Sequence, residues 1–323
     1  MNRQVRRVGT VVLTAASVAY LVWKINLSTT LDVLADTDVA WLALSAAIML
    51  VTVPVLAARW GWLLAAHDIS ERLRWLTRAY FVAYAAGQVL PTSLGGDAVR
   101  VLETSRRHAG RTAVVTGTVL LERGLGGAAT VLLGAVGFVL SIGRYDVSAY
   151  LWLEGVFVFG TLVLGFLFFA RSARPLLSRL KPQLARFRVV GPLESFYEGI
   201  HHYRGRPRLL GQVFTVTLAV QTVRILAIWA AAKAVGIDLD PRIYYVFGPL
   251  FFLVMLVPFT LNGLAVREAF FVSFLGTVGV GADEAFAAGF LYFLVTLTLA
   301  VPGGAILIWE GLRGGTRARA EHG

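Results

Sequence analysis

Pro91-Thr92-Ser93-Leu94-Gly95-Gly96-Asp97-Ala98-Val99-Arg100 returns 167 positions later as Pro258-Phe259-Thr260-Leu261-Asn262-Gly263-Leu264-Ala265-Val266-Arg267. Six of the ten positions coincide, and the shared set includes the Pro, a Gly and the Arg. Each copy lies in an apolar stretch, 75–101 or 243–281, that Pro, Gly and polar residues interrupt. Pro lacks a backbone donor and clashes with the preceding helical turn, so Pro91 and Pro258 each close a half-helix. Gly95, Gly96 and Gly263 permit a tight reversal. Thr92, Ser93, Thr260 and Asn262 can bond the backbone groups that the turn frees. The spacing predicts two re-entrant helical hairpins. Backbone broken at membrane depth is tolerated only where protein or a water-filled cavity covers it.

Outward from the hairpins the chain reads as membrane throughout. Of its 323 residues, 57% are hydrophobic and 15% charged, against about a quarter charged in an average soluble domain. Six runs are long and apolar enough to span: 8–27, 38–58, 112–141, 149–170, 209–232 and 284–310. The first follows Arg3, Arg6 and Arg7 and is too long for a signal-peptide core, so it reads as an uncleaved helix. There is no cysteine, and the five His show no ligand spacing. Disulfides, thiolate chemistry, a metal centre and any bound cofactor are therefore not expected. The net charge of +11 sits mostly in short loops between apolar runs, which argues against nucleic acid.

Charge sorting fixes the expected topology. With both termini cytoplasmic and both stretches treated as hairpins, 22 basic residues fall inside and four outside (Lys24, Arg144, Lys233, Arg242). That is the positive-inside bias of a plasma-membrane protein. Basic segment 171–208 reads as a cytoplasmic amphipathic connector on anionic lipid. Each half, 1–148 and 149–311, then holds an odd number of spans plus a hairpin. The expected fold is thus an all-α polytopic membrane protein, an inverted-topology repeat of six spans and two re-entrant hairpins. In such repeats broken helices meet near the midplane at the substrate site.

The sorting leaves Arg100, Arg123, Arg224 and Arg267, with Asp97, Glu122, Glu154 and Glu268, in or at the edge of the membrane. Ionisable groups there are functional by default. A half-helix starting near Gly96 or Gly263 offers free N–H groups and a positive dipole end, which suits phosphate. Arg100 and Arg267 follow about one turn later with planar donor forks. Each hairpin thus reads as an anion cradle, with Ser93 and Asn262 beside it. The structural alternative makes Arg100 a loop residue and pairs Arg267 with Glu268. Glu122 and Arg123 project about 100° apart and so reach different neighbours. Arg123 could meet a phosphate. Glu122 could hold Arg100 or Arg267, carry a proton, or form a structural ion pair. Arg224 shares a face with Gln221 and is a candidate cavity residue. Asp97 compensates a helix N-terminus or recognises a cationic part of a headgroup. Gly126, Gly127, Gly134 and Gly137 read as close helix-packing positions.

Pro91-Thr92-Ser93-Leu94-Gly95-Gly96-Asp97 with Arg100, Leu121-Glu122-Arg123, and Pro258 with Asn262-Gly263 and Arg267-Glu268 together resemble the flippase-like family. This is the transmembrane region of lysylphosphatidylglycerol synthases and its stand-alone relatives. The resemblance covers nearly the whole chain. It implies translocation of a phospholipid or lipid-linked headgroup between leaflets, with Arg100, Glu122, Arg123, Arg267 and Glu268 as site residues. Aminoacyl transfer, which in bifunctional relatives belongs to a following soluble domain, is not carried over. No P-loop is present, so ATP drive is not expected. The expected protein is a lipid translocator rather than an enzyme, with a lipid-phosphate or polyprenyl-phosphate enzyme and a membrane scaffold as alternatives. Membrane lipids are its expected partners; a separate lipid-modifying enzyme and homo-oligomerisation are compatible with the chain.

Overall fold

The structure is a computed structural model that describes residues 18–89, 95–141, 203, 205–256, 263 and 265–320, with isolated helical positions 152, 155 and 159. Among the described residues all regular structure is helical. The span expected at 149–170, the connector 171–208, and Pro91, Ser93, Glu154, Pro258 and Asn262 lie outside them or, for the span and connector, almost wholly so.

The chain enters through helical residues 18–24 (α1) and turns at Asn26 into α2, Leu27–Ala35. Asn26 caps α2 by accepting from the Ser28 N–H. The first helical run therefore stops three residues short of the expected 27. Helix α3, Val39–Ala65, starts where the Asp38 carboxylate accepts from the N–H groups of Ala40 and Trp41. It was expected to end at 58 and continues two turns further. That extension places Arg59, sorted above with the cytoplasmic loop, inside a helix and 6% exposed. Next come α4 (Leu73–Val89), α5 (Gly95–Arg107) and α6 (Thr112–Ser141).

After them come α7 (Pro207–Lys233), a 3-10 turn Pro241–Ile243 leading into α8 (Tyr244–Leu256), α9 (Val266–Thr277), α10 (Ala282–Thr298) and α11 (Ala300–Ala320). The last expected span, 284–310, is thus two helices joined at Leu299. Helix α9 begins at Val266, three residues after Gly263, because Ala265 at φ 63° still turns the chain. Gly263 itself has φ +74°, which a glycine adopts without strain.

Four helical stretches, 39–65, 112–140, 207–233 and 282–310, are long and apolar enough to cross a membrane. Their exposed positions carry apolar side chains, among them Val39, Val51, Val301 and Ile308, as lipid contact requires. Helices α3 and α7 lie side by side at the centre. The core is richest in aromatics where α8, α9 and α10 meet: Phe247 packs edge-on to Phe271 at 4.6 Å, and Phe251 meets Tyr292 at 5.8 Å.

Glycine permits unusually close approaches between helices far apart in sequence. A Cβ on Gly137 of α6 would strike the Tyr245 carbonyl of α8, and one on Gly303 of α11 would strike the Phe81 carbonyl of α4. Gly126 and Gly127, expected to be packing positions, instead have open space where a Cβ would go. Of the packing positions expected on this helix, Gly137 is one that a facing backbone meets.

Candidate functional site

The site is built around Glu122, in the first half of α6 and 3% exposed. Its Oε1 accepts from Arg59 Nη2 and from the Tyr80 hydroxyl, each at 2.7 Å. Its Oε2 lies 2.7 Å from Arg100 Nη1. Arg59 arrives from α3, Tyr80 from α4 and Arg100 from α5, so one carboxylate ties three other helices to α6. Arg59 also donates to Thr217 of α7 at 2.7 Å. Trp60 donates its indole N–H to Thr118 at 3.0 Å, which fixes the ring beside the cluster.

Arg100 is clamped between two aromatic faces, its guanidinium carbon 4.3 Å from the ring centres of both Trp60 and Tyr80. One end of it reaches Asp97 Oδ1 at 3.1 Å. Its Nε and Nη1 make no aligned hydrogen bond, although Nη1 stands within ion-pair distance of Glu122. Asp97, in the first turn of α5, also takes Arg123 Nε on Oδ2 at 2.5 Å. Asp97 thus joins two guanidinium groups as well as sitting at a positive helix end. Gly96 makes this start possible: a Cβ there would strike the Ala83 carbonyl of α4.

Three guanidinium groups and two carboxylates share this cluster, which leaves one positive charge. Arg59, Arg100 and Glu122 are buried while Arg123 is exposed, so the cluster runs from the protein interior to an open face. Such an arrangement can receive an anion at Arg123 and at the unsatisfied edge of Arg100.

A second polar group lies two turns away, about 10 Å at the helical rise of 1.5 Å per residue, measured along α3 from Arg59 to Thr52 and along α7 from Thr217 to Arg224. Arg224 donates to the Thr52 hydroxyl and the Tyr84 hydroxyl, both at 2.9 Å. The two groups meet on α4, where the Tyr80 and Tyr84 rings are 6.5 Å apart. Gln221, on the same face as Arg224, reaches Thr130 of α6 at 3.5 Å. Tyr292 of α10 is within Coulomb range of both Arg224 and Arg267. Arg267 and Glu268 open α9, buried at 5% and 4% exposure, with the Arg267 guanidinium 4.7 Å from the Phe293 ring centre.

The structure therefore joins Asp97, Arg100, Glu122 and Arg123 into one network, and carries Arg224, Arg267 and Glu268 in a second region reached through Tyr84 and Tyr292. Sequence reasoning missed Arg59, Trp60, Tyr80 and Tyr84. Arg59 had a legible signal, since Trp60, Trp62, Leu63 and Leu64 keep the run apolar beyond it. The tyrosines had none, because a hydroxyl in an apolar helix reads the same whether it faces a partner or a membrane edge.

A family model described as the lysylphosphatidylglycerol synthase transmembrane region matches residues 7–304. The chain belongs to that family. A similar curated protein is "Glycosyltransferase AglD" of Haloferax volcanii, 27% identical over 342 aligned positions that cover 94% of this chain and 54% of that protein. The chain spans about half the length of this curated relative. The family places the Glu122 network in a membrane protein related to lipid chemistry.

Proposed function

We propose that the protein translocates an anionic or phosphate-bearing lipid between membrane leaflets, passing the headgroup along an Arg-lined path near the midplane. One observation carries the reading: three arginines, two of them buried, converge on two carboxylates where the span-length helices α3 and α6 meet the short helix α5. The clamped Arg100 keeps N–H groups without aligned acceptors. Burying such groups is costly unless a charged ligand uses them. Arg224 extends the path, and a wholly apolar groove of about 500 Å³ between α3 and α7 is lined in part by the Thr52 that Arg224 holds. A hydrocarbon chain in that groove would lie beside a headgroup at Arg224.

Alternating access fits an inverted repeat with two re-entrant hairpins, one in each half. Its support is an offset of 167 positions that carries α3 onto α7 within one residue and α4 onto the 3-10 turn plus α8. Packings correspond too: α3 on α4 matches α7 on α8, α5 on α6 matches α9 on α10, and α6 on α8 matches α11 on α4. The limbs α5, α8 and α9 have 13, 13 and 12 residues, about 20 Å of helix, against about 30 Å of hydrocarbon. The positive-inside count sets both termini in the cytoplasm of a plasma-membrane protein.

The name of the Haloferax relative favours a second reading, an enzyme that transfers a sugar. A polyprenyl-phosphate sugar carrier stands beside phospholipids as candidate cargo. Proteoliposomes separate the readings. Anionic, zwitterionic and polyprenyl-phosphate probes are offered, and translocation is compared with protein-free vesicles. Faster movement of an anionic probe, lost in Arg123→Glu with the protein still folded, is the expected result. A new chemical product by mass spectrometry, without translocation, would replace the proposal with the enzyme.

A further inference from the structure

Arg224 keeps different company from the arginines of the Glu122 network. Arg59, Arg100 and Arg123 each have a carboxylate within ion-pair distance. Among the described residues Arg224 has none. Its Nε and Nη2 donate to the Thr52 and Tyr84 hydroxyls, both at 2.9 Å, and its guanidinium carbon lies 5.9 Å from the Tyr84 ring centre. Tyr292, in Coulomb range, adds another hydroxyl, and Gln221 on the same face adds an amide. No acid is among these neighbours.

Depth makes the missing acid costly. Thr52 is the middle residue of the 27 in α3. Arg224 stands nine positions before Lys233 at the nearer end of α7, about 14 Å at 1.5 Å per residue. Arginines reach the membrane surface by extending only near helix ends, so this charge is held at depth. Arginine keeps its charge there, and a charge so placed calls for a counter-charge. The donors that would receive one are in place. Nη1 of Arg224 makes no hydrogen bond and is not fully buried. The Tyr84 hydroxyl accepts from Arg224, and its own proton has no acceptor among the described residues. Both donors suit a phosphate oxygen. A headgroup ammonium finds no carboxylate here, whereas the Glu122 network has two.

We infer that Arg224, Tyr84 and Thr52 form a selectivity station for an anionic phosphate headgroup that carries no ammonium group, an inference that rests on the translocation reading and narrows its cargo. Without cargo the station is an unbalanced charge that lowers stability. With cargo, the phosphate accepts from Nη1 and from the Tyr84 hydroxyl, while Thr52 and Tyr84 hold the guanidinium in place. A zwitterionic lipid brings a positive group into the same apolar surroundings with nothing to pair it. Glycerophospholipids and polyprenyl-phosphate sugars both present the required headgroup. No covalent bond changes.

The test follows thermal unfolding of the full-length protein in dodecyl-maltoside micelles as dioleoylphosphatidylglycerol, dioleoylphosphatidylcholine or polyprenyl-phosphoglucose is added. Without lipid, Arg224→Gln should melt at or above the wild-type temperature, because it removes an unbalanced charge. An arginine that only staples helices would give the opposite sign. With phosphatidylglycerol, Arg224→Gln should need about ten- to a hundredfold more lipid for the same rise in melting temperature, the loss expected for a charged hydrogen bond. Its response to phosphatidylcholine should stay as in wild type, and Arg224→Lys should keep the preference for the anionic lipid. A clear drop in lipid-free stability of Arg224→Gln, failure to fold included, would overturn the inference, as would an unchanged anionic response. So would a wild type that answers neither anionic probe, or answers phosphatidylcholine equally well. A response to polyprenyl-phosphoglucose alone assigns the station to that carrier instead of a glycerophospholipid. If the titrations behave as expected but no probe crosses the bilayer of proteoliposomes, the station stands and the translocation reading falls.

Discussion

Arg59, Tyr80 and Arg100 reach one carboxylate from three different helices, so Glu122 is the residue whose loss should be felt most widely. Replacing one partner of a buried ion pair leaves the other charge uncompensated, at a cost of about 3–5 kcal/mol. Glu122→Gln is expected to lower the thermal stability of the purified protein by that order, measured by thermal unfolding in detergent. Arg123→Gln should leave stability nearly unchanged, because Arg123 is half open and its ion pair with Asp97 is partly solvated. If both variants lose translocation but only Glu122→Gln loses stability, the cluster divides into a structural inside and a ligand-facing edge. Part of this was legible in the sequence. Arg100, Glu122 and Arg123 stand out as charges in apolar surroundings, and Arg100 is one of the partners the sequence leaves open for Glu122; the Arg123 pair with Asp97 is not legible there. Arg59 escaped because a window centred on it borders a basic loop, and Tyr80 escaped because it carries no charge to notice.

Among elements, two of the contacts that need glycine join α6 to α8 and α11 to α4. A side chain at Gly303 must push α11 off the Phe81 carbonyl of α4, and one at Gly137 must push α6 off α8. Overpacking of this kind costs about 1–3 kcal/mol or more. Gly303→Leu and Gly137→Leu should each lower the melting temperature. Gly126→Ala should be neutral or slightly stabilising, since its Cβ meets open space and a helical Gly gives up about 1 kcal/mol relative to Ala. Thermal scans of the three variants check this ordering. Sequence reasoning recognised a glycine-rich helix but could not tell which glycine faces a backbone, because that depends on a partner 108 positions away, Tyr245 against Gly137. Helix existence was easier to read: 112–141 and 207–233 agree with expectation to within two residues, since long apolar runs have no competing structure. The α3 end was harder, because an Arg at a helix end and an Arg in a helix interior look alike without their partners.

For the whole molecule, Arg100 recurs as Arg267 at the 167-position offset, but most of its neighbours do not. Shifted by 167 positions, Trp60, Tyr80, Asp97 and Arg123 fall on Ala227, Phe247, Leu264 and Phe290. The earlier helices hold the Glu122 charge network and α8, α9 and α10 an aromatic core, so the repeat proposed above would carry unlike chemistry in its two halves. Replacing Arg100 should therefore impair transport of an anionic probe more than replacing any single aromatic of the Phe247 cluster with Leu, at matched folding. The proteoliposome assay reads that comparison directly.

The Gly303 contact also imposes an order on biogenesis. Phe81 belongs to α4, yet its seat on α11 is made more than 200 residues later. At about 5–20 residues per second, the ribosome leaves that helix waiting on the order of ten to forty seconds. For that interval α4 lacks the neighbour it finally packs on. A ribosome stalled before residue 300 should leave α4 open to proteolytic probes, and completion of the chain should close it off.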